Sequence, residues 1–267
     1  MFAFLTTGPD LAPPARRPVH PPAGTLPPRR REVSPALAAR IRPITDARQR
    51  LLPVVPPLVP LLPDGALRRG STSLVTGAAG GGTTLALALL AGASAAGSWC
   101  AVVGLPDPGV VAMAELGLDL SRLVLAPRPG SQWAEVVGDL LNGVDIVLVR
   151  PPGRARFTAA RHLMARARER QAALVVLGER AGDWAVPADV ALHVEAGEWE
   201  GLGAGHGNLG ARRSEVWATG RRGADQGHRH PLLLPAPTGA VAEAPAPATA
   251  IAGGPAIAGR TGRRGSE

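Results

Sequence analysis

The run Gly77-Ala-Ala-Gly-Gly-Gly-Thr-Thr84 holds the residues whose spacing points most directly to chemistry. Phosphate-binding loops are rich in glycine because backbone N–H groups must converge on phosphate oxygens. In the pattern G-x-x-x-x-G-K-[ST], a Lys then neutralises the β/γ charge and a Ser or Thr holds Mg²⁺. Here the frame runs from Gly77 through Gly80 and Gly81 to Gly82, Thr83 and Thr84, and Thr83 stands where the Lys belongs. A buried strand is expected before the loop (residues 71–76) and an Ala/Leu-rich helix after it (residues 85–96). That is the setting of a phosphate loop. The alternative is a plain glycine-rich strand-to-helix turn.

Two further requirements of nucleotide hydrolysis fail alongside the Lys. A Mg²⁺-holding carboxylate belongs at the end of a buried apolar strand, yet the strand 145–149 ends in Arg150. Asp145 lies at the opposite end, roughly 16 Å away at about 3.3 Å per residue. An Arg in that position repels the metal. A catalytic carboxylate belongs after the second strand, where the sequence is Val103-Gly-Leu-Pro-Asp-Pro108 and Asp107 reads as a turn residue between two prolines. Phosphoryl transfer depends on positioning and on charge neutralisation by Lys and Mg²⁺. No catalytic residue, cofactor or metal is therefore expected. The loop amides and the helix N-terminus keep the capacity for weak anion binding, with Arg150 as the source of charge.

The elements that position these residues alternate. Strands are expected at 71–76, 99–105, 123–125, 145–149 and 173–177. Helices are expected at 85–96, 110–116, 133–141 and 157–171. Such alternation predicts an α/β fold with a mostly parallel sheet covered by helices on both faces. After Asp189 the pattern changes to strands at 190–195 and 215–219, a C-terminal antiparallel hairpin closing the sheet. Residues 51–62 alternate Pro with Leu and Val and read as an extended apolar strap on the core.

The ends differ in composition. Fifteen of the 28 prolines fall in residues 1–63, and proline blocks helix interiors. Residues 1–45 are therefore expected to be a mostly disordered Pro/Arg-rich segment, with one short helix from Ser34-Pro35. Residues 46–230 form the folded domain. Residues 231–267 read as a disordered Ala/Gly/Pro-rich tail whose apolar cluster, Pro231-Leu-Leu-Leu-Pro235, is either a docking motif or the last piece packed on the domain.

Charge is also uneven. Residues 1–60 hold nine Arg against three acids, while residues 61–230 hold seventeen against sixteen. The high pI thus reports the N-terminal flank and does not mark the whole fold as a nucleic-acid binder. The chain has no Lys, so any lysine-dependent mechanism is closed to it. The single Cys100 sits in an apolar run and excludes an internal disulfide, which fits a cytoplasmic protein. No membrane span is expected, and the first residues lack the basic start of a secretion signal. The histidines show no metal-binding arrangement; His193 is expected in a strand.

Three stretches carry a family resemblance: Leu61-Leu-Pro-Asp-Gly-Ala-Leu-Arg-Arg-Gly70; Trp99-Cys-Ala-Val-Val103 through Leu116-Gly-Leu-Asp-Leu-Ser-Arg-Leu-Val-Leu125; and Ala188-Asp-Val-Ala-Leu-His-Val194 through Ser214-Glu-Val-Trp217. In order and spacing they resemble the RecA core across about residues 50–223. The losses at Thr83, at Arg150 and around Asp107 make the chain look like the degenerate RecA relatives of the ImuA and ImuA-prime group. That resemblance implies an accessory protein of SOS-induced error-prone translesion DNA synthesis. It implies ImuB, an inactive Y-family polymerase relative, as partner, and through it a DnaE-type polymerase. Two alternatives stand beside it: a SulA-like division inhibitor binding FtsZ, and an active RecA-type ATPase.

The densest basic stretch of the domain is 150–170. Phe157, Ala160, Leu163, Met164 and Ala167 fall at core spacing there. Arg154, Arg161 and Arg168 recur every seven residues and share an outer face if the helix reaches back to Arg154. That face reads as a solvated surface, a protein interface or a phosphate contact. The loop at 179–188 is short and holds Trp184 with Arg180 as its basic residue, which argues against a working filament surface and leaves any DNA contact weak.

Overall fold

The computed structural model describes residues 50–77, 80–202, 207–220 and 229–245. The chain divides into two units, Met1–Pro43 and Ile44–Glu267, and every described residue belongs to the second. The readings made for residues 1–45 and for 246–267 lie outside the described residues.

The chain begins with a two-stranded antiparallel ribbon, β1 (Leu51–Pro53) with β2 (Ala66–Arg68). Between them a 3-10 turn spans Pro56–Leu61. The 51–62 strap is thus coiled over half its length, because Pro56 and Pro57 preset φ for a helical first turn. Leu52, Leu58 and Leu61 are buried, so the strap does lie on the core.

Five parallel pairings form the centre of a ten-stranded sheet. Its strands are β3 (Thr72–Thr76), β4 (Cys100–Val103), β5 (Leu123–Ala126), β6 (Ile146–Val149), β7 (Ala173–Gly178) and β8 (Val190–Val194), in the order β8-β3-β7-β6-β4-β5. Each residue of β3, β4, β6 and β7 is buried, as strands covered on both faces must be. Helices α1 (Gly82–Ala95) and α2 (Val110–Glu115) cover one face together with the strap. Helices α3 (Trp133–Leu140) and α4 (Phe157–Arg170) cover the other. Side chains alternate between the two cores, Val75 on the α1 face and Leu74 on the α4 face. α1 is apolar almost all round because it is enclosed between sheet and strap. Cys100 is one of its sheet-side neighbours; burial pushes its thiol up to about 12, which leaves it as packing.

The antiparallel part is larger than expected. β10 (Gly207–Gly220) is 14 residues long. Residues 216–220 pair with β8, as the predicted hairpin requires, and 207–213 pair with β9 (Glu198–Leu202) to form a ribbon. Glycine in that stretch hides the alternation. β11 (Arg229–Leu233) and β12 (Ala242–Glu243) then extend the sheet.

These last strands correct the expectation of a disordered tail from residue 231. Leu232 and Leu234 are fully buried, Ala236 and Ala244 nearly so, and Val241 packs on the α1-side core. Pro231 within β11 stands opposite Glu215, with His230 and Leu232 in register with Val216 and Ser214. The apolar cluster 231–235 is domain packing. On the Arg-rich helix the expected start at Phe157 holds, the condition for Arg154 to share its face is not met, and the core placement of Phe157 fails. α4 starts at Phe157, so Arg154 precedes it, and Phe157 is 53% exposed in its first turn while Ala160, Leu163, Met164 and Ala167 are buried.

The packing of β11 sets a stability test. Leu232→Ala is expected to cost about 2–5 kcal/mol, the usual range for a fully buried Leu, measured by urea denaturation. An unchanged midpoint would mean that the 231–245 segment is not part of the cooperative fold.

Candidate functional site

The glycine loop leaves the carboxyl end of β3, with β8 on one side and β7 on the other. It is folded onto its own chain. Gly80 N and Gly82 N both donate to Gly77 O, at 2.8 and 3.0 Å. Ser214 Oγ of β10 donates to Gly80 O at 3.0 Å. Gly80, Gly81 and Gly82 are buried, and Thr83 and Thr84 are half-buried in the first turn of α1.

What buries the loop is the chain itself. A Cβ on Gly77 would lie 2.2 Å from Val194 O, and the φ of Gly77 is +88°, so only glycine fits against the end of β8. Gly80 faces Glu195 and Ala196 just beyond that strand. Gly81 faces Leu234, whose Cβ is 3.3 Å from the point where a side chain would begin. Further along the chain, Gly239 meets Glu115 of α2. The segment after β11 therefore straps the glycine loop. The sequence rightly gave this loop its glycines; the strap and the β8 exit are the neighbours those glycines accommodate.

The chemical residues are displaced as expected. Arg150 closes β6 and pairs with Glu179 at 2.6 Å. Asp145 sits at the amino end of β6, where it accepts from Trp99 N at 2.8 Å and pairs with Arg69 at 2.7 Å. Asp107 is exposed and faces Arg128 at 3.4 Å.

The three arginines of the seven-residue repeat are not brought together. Arg154 lies in the connection before α4. Arg161 and Arg168 are exposed on α4, about 10 Å apart along its axis at 1.5 Å per residue. Arg168 instead joins Arg50, Arg68 and Arg69 around a cleft of about 450 Å³ at the amino ends of the strands.

At the other end, Arg150 joins Arg128 and Arg180 around a cleft of about 690 Å³. Arg128 escaped the sequence reading, and Arg180 was read only as the basic residue of a short loop, because the two come from separate loops. The signal that could have found them is positional: each follows a parallel strand within two residues, where the chain must turn out of the sheet.

His193 also sits beside the loop. Its Nδ1 is 2.7 Å from Thr76 Oγ1, the residue before Gly77, and its ring stacks on Trp217 at 5.4 Å. Burial holds its pKa below the ordinary imidazole value of 6.5.

With this geometry in place, two similarities are informative. Residues 60–185 match the family described as the MT3502 N-terminal domain. A Mycobacterium tuberculosis protein named "uncharacterized protein Rv3395c" is 41% identical over 119 residues, which is 43% of this chain and 57% of that protein. The chain thus spans little more than half the length of that relative. The matched family region contains the glycine loop, Arg150 and α4, and it stops short of β8 to β12, which supply the loop's cover.

His193 gives a pH test. A folded-state pKa below the unfolded value means that the unfolded chain binds the proton more readily. The stability held by neutral His193 is full above about pH 6.5 and is lost as pH falls through the folded pKa. The urea midpoint is expected to fall from pH 7 to pH 5, with a shallower fall in His193→Asn. Identical slopes in both proteins would contradict the assignment.

Proposed function

We propose that this chain is a non-catalytic RecA-like accessory protein of the ImuA and ImuA-prime group, acting in SOS-induced error-prone translesion DNA synthesis. In this reading it bridges an ImuB-like inactive Y-family polymerase relative and a DnaE-type polymerase. One observation carries it: the glycine loop lies between a central parallel strand and a buried helix, yet two of its amides, Gly80 N and Gly82 N, are bonded to Gly77 O and it is covered by Val194–Ala196 and Leu234. A loop used as a packing joint has no need of Lys, Mg²⁺ or a catalytic base, and none stands at the corresponding positions. The order of motifs from residue 61 to residue 217 supports the RecA-like part of the reading. The losses support the degenerate group within it.

The same observation weighs against an active RecA-type ATPase. A SulA-like division inhibitor shares the degenerate core, but nothing at the cleft or the strap favours FtsZ as its target. Among the described residues no helix is long and apolar enough to cross a membrane, and the proposed setting is the cytoplasm.

The test is co-purification of the full chain with a purified ImuB-type polymerase relative. A stable complex, together with no DNA-stimulated ATP hydrolysis above background, is the expected result. Failure to bind, or ATP turnover, or filamentation of cells on overexpression with capture of FtsZ, would each overturn the proposal.

A further inference from the structure

The cleft of about 690 Å³ opens at the carboxyl ends of β4, β5, β6 and β7. Its position follows from the sheet topology. β4 passes its chain to the α1/α2 face, and its neighbour β6 passes its chain to the α3/α4 face. Exit loops that diverge between adjacent parallel strands leave a crevice at that point, the usual place for a ligand in an open α/β sheet.

The floor is built tightly. The φ of Gly104 is +79°, and a Cβ there would lie 2.1 Å from Arg150 O. Arg150 N donates to Val103 O at 2.9 Å. The backbone of Arg150 is therefore fixed at the mouth of the cleft. Pro106, Pro127, Pro129, Pro151 and Pro152 form the walls. Proline offers no N–H donor and holds its φ, so these walls are stiff and present apolar ring faces.

The charged groups divide unevenly in availability. Asp183 lines the cleft, and its Oδ2 accepts from Glu179 N and Arg180 N, both at 2.9 Å, which holds the carboxylate in that turn; with Glu179 it sets two acids against the three arginines of the lining. Glu179 is held by Arg150 and Asp107 by Arg128, and both pairs are largely exposed. Solvated pairs of this kind contribute little and exchange readily for an incoming carboxylate. Arg154 and Arg156, both exposed, follow on the same connection as Arg150. What the cleft offers a visitor is guanidinium at Arg128, Arg150 and Arg180 between apolar walls.

Among the described residues no aromatic ring lines it, and Trp184 of the adjoining loop is buried in the α4-side core. Sequence-tolerant binding of single strands relies on aromatic rings for the bases to stack on, so a nucleic-acid strand fits poorly. We propose that this cleft is a docking slot for an acidic peptide segment of a protein partner. Its carboxylates pair with the three arginines, which suit forked recognition of carboxylate, and its apolar residues lie on the proline rings. The inference stands on the cleft and does not depend on the RecA-like reading.

The test uses the full chain and three fluorescent probes in anisotropy titrations: a twelve-residue peptide of Asp, Glu, Leu and Pro; the same peptide with Asn and Gln replacing the acids; and an oligothymidylate. The acidic peptide is expected to bind at least tenfold more tightly than its neutral counterpart. Arg150→Glu and Arg180→Glu should each weaken it tenfold or more, while Arg161→Glu on α4 changes it less than twofold. Glu179→Gln frees Arg150 and should tighten binding several-fold, a gain that misfolding cannot imitate. Absence of binding, equal binding of the neutral peptide, indifference to both arginine reversals, or no gain from Glu179→Gln would overturn the proposal. So would preference for the oligothymidylate with the same arginine dependence, which would make the cleft a nucleic-acid surface.

Discussion

The structure depends on one close approach, the seating of the glycine loop against the carboxyl ends of β8 and β11 and the middle of β10. Gly77 admits Val194 O at a distance no side chain permits, and Ser214 Oγ reaches Gly80 O from β10. Leu234 completes the cover. An N-terminal helix end normally presents unpaired N–H groups that favour an anion. Here the loop before α1 satisfies two of its amides on Gly77 O, and the surrounding backbone is buried. This glycine-rich strand-to-helix turn serves as a joint between the parallel and antiparallel halves of the sheet.

The arginines reinforce that joint without restoring chemistry. Arg229 bonds both Glu195 and Glu215 and lies 5.2 Å over the Trp217 ring. Trp217 in turn stacks on His193, which bonds Thr76 at the foot of the loop. One guanidinium thus ties the exit of β8 to the middle of β10, a task for a planar forked donor rather than a point charge. Arg150 stands where a metal carboxylate belongs and is engaged with Glu179. In a chain without Lys, arginine serves as pin and as surface charge, which is consistent with function residing in contacts instead of catalysis.

Much of the fold was legible because its two periods are distinct. The strands 146–149 and 173–178 read as unbroken apolar runs, 72–76 as a β-branched segment leading into the glycine loop, α1 as a continuous Ala/Leu run and α4 at helical spacing. The exceptions have physical causes. β9 and the first half of β10 are edge ribbon with glycine at several positions, so no buried alternation marks them. The residues from 231 to 245 combine Pro, Ala and Gly, and only their contact with a surface over a hundred residues away in sequence reveals Leu232 and Leu234 as core. Phe157 was misplaced as core because it sits in the first turn of α4 and faces outward there. At the site, the missing Lys and carboxylates were readable as residue identities. The cover over the loop was not, since it is made by non-local strands whose register no local pattern specifies, and the grouping of Arg128, Arg150 and Arg180 depends on the order of the strands.

The central claim is that the glycine loop is a structural joint. Amide hydrogen exchange of the full chain, followed at Gly80 and Gly82 with and without millimolar MgATP, tests it most directly. The account predicts protection of both amides comparable to that of β3 and unchanged by nucleotide. Rapid exchange that slows when MgATP is added would contradict it and return the loop to the role of a nucleotide site.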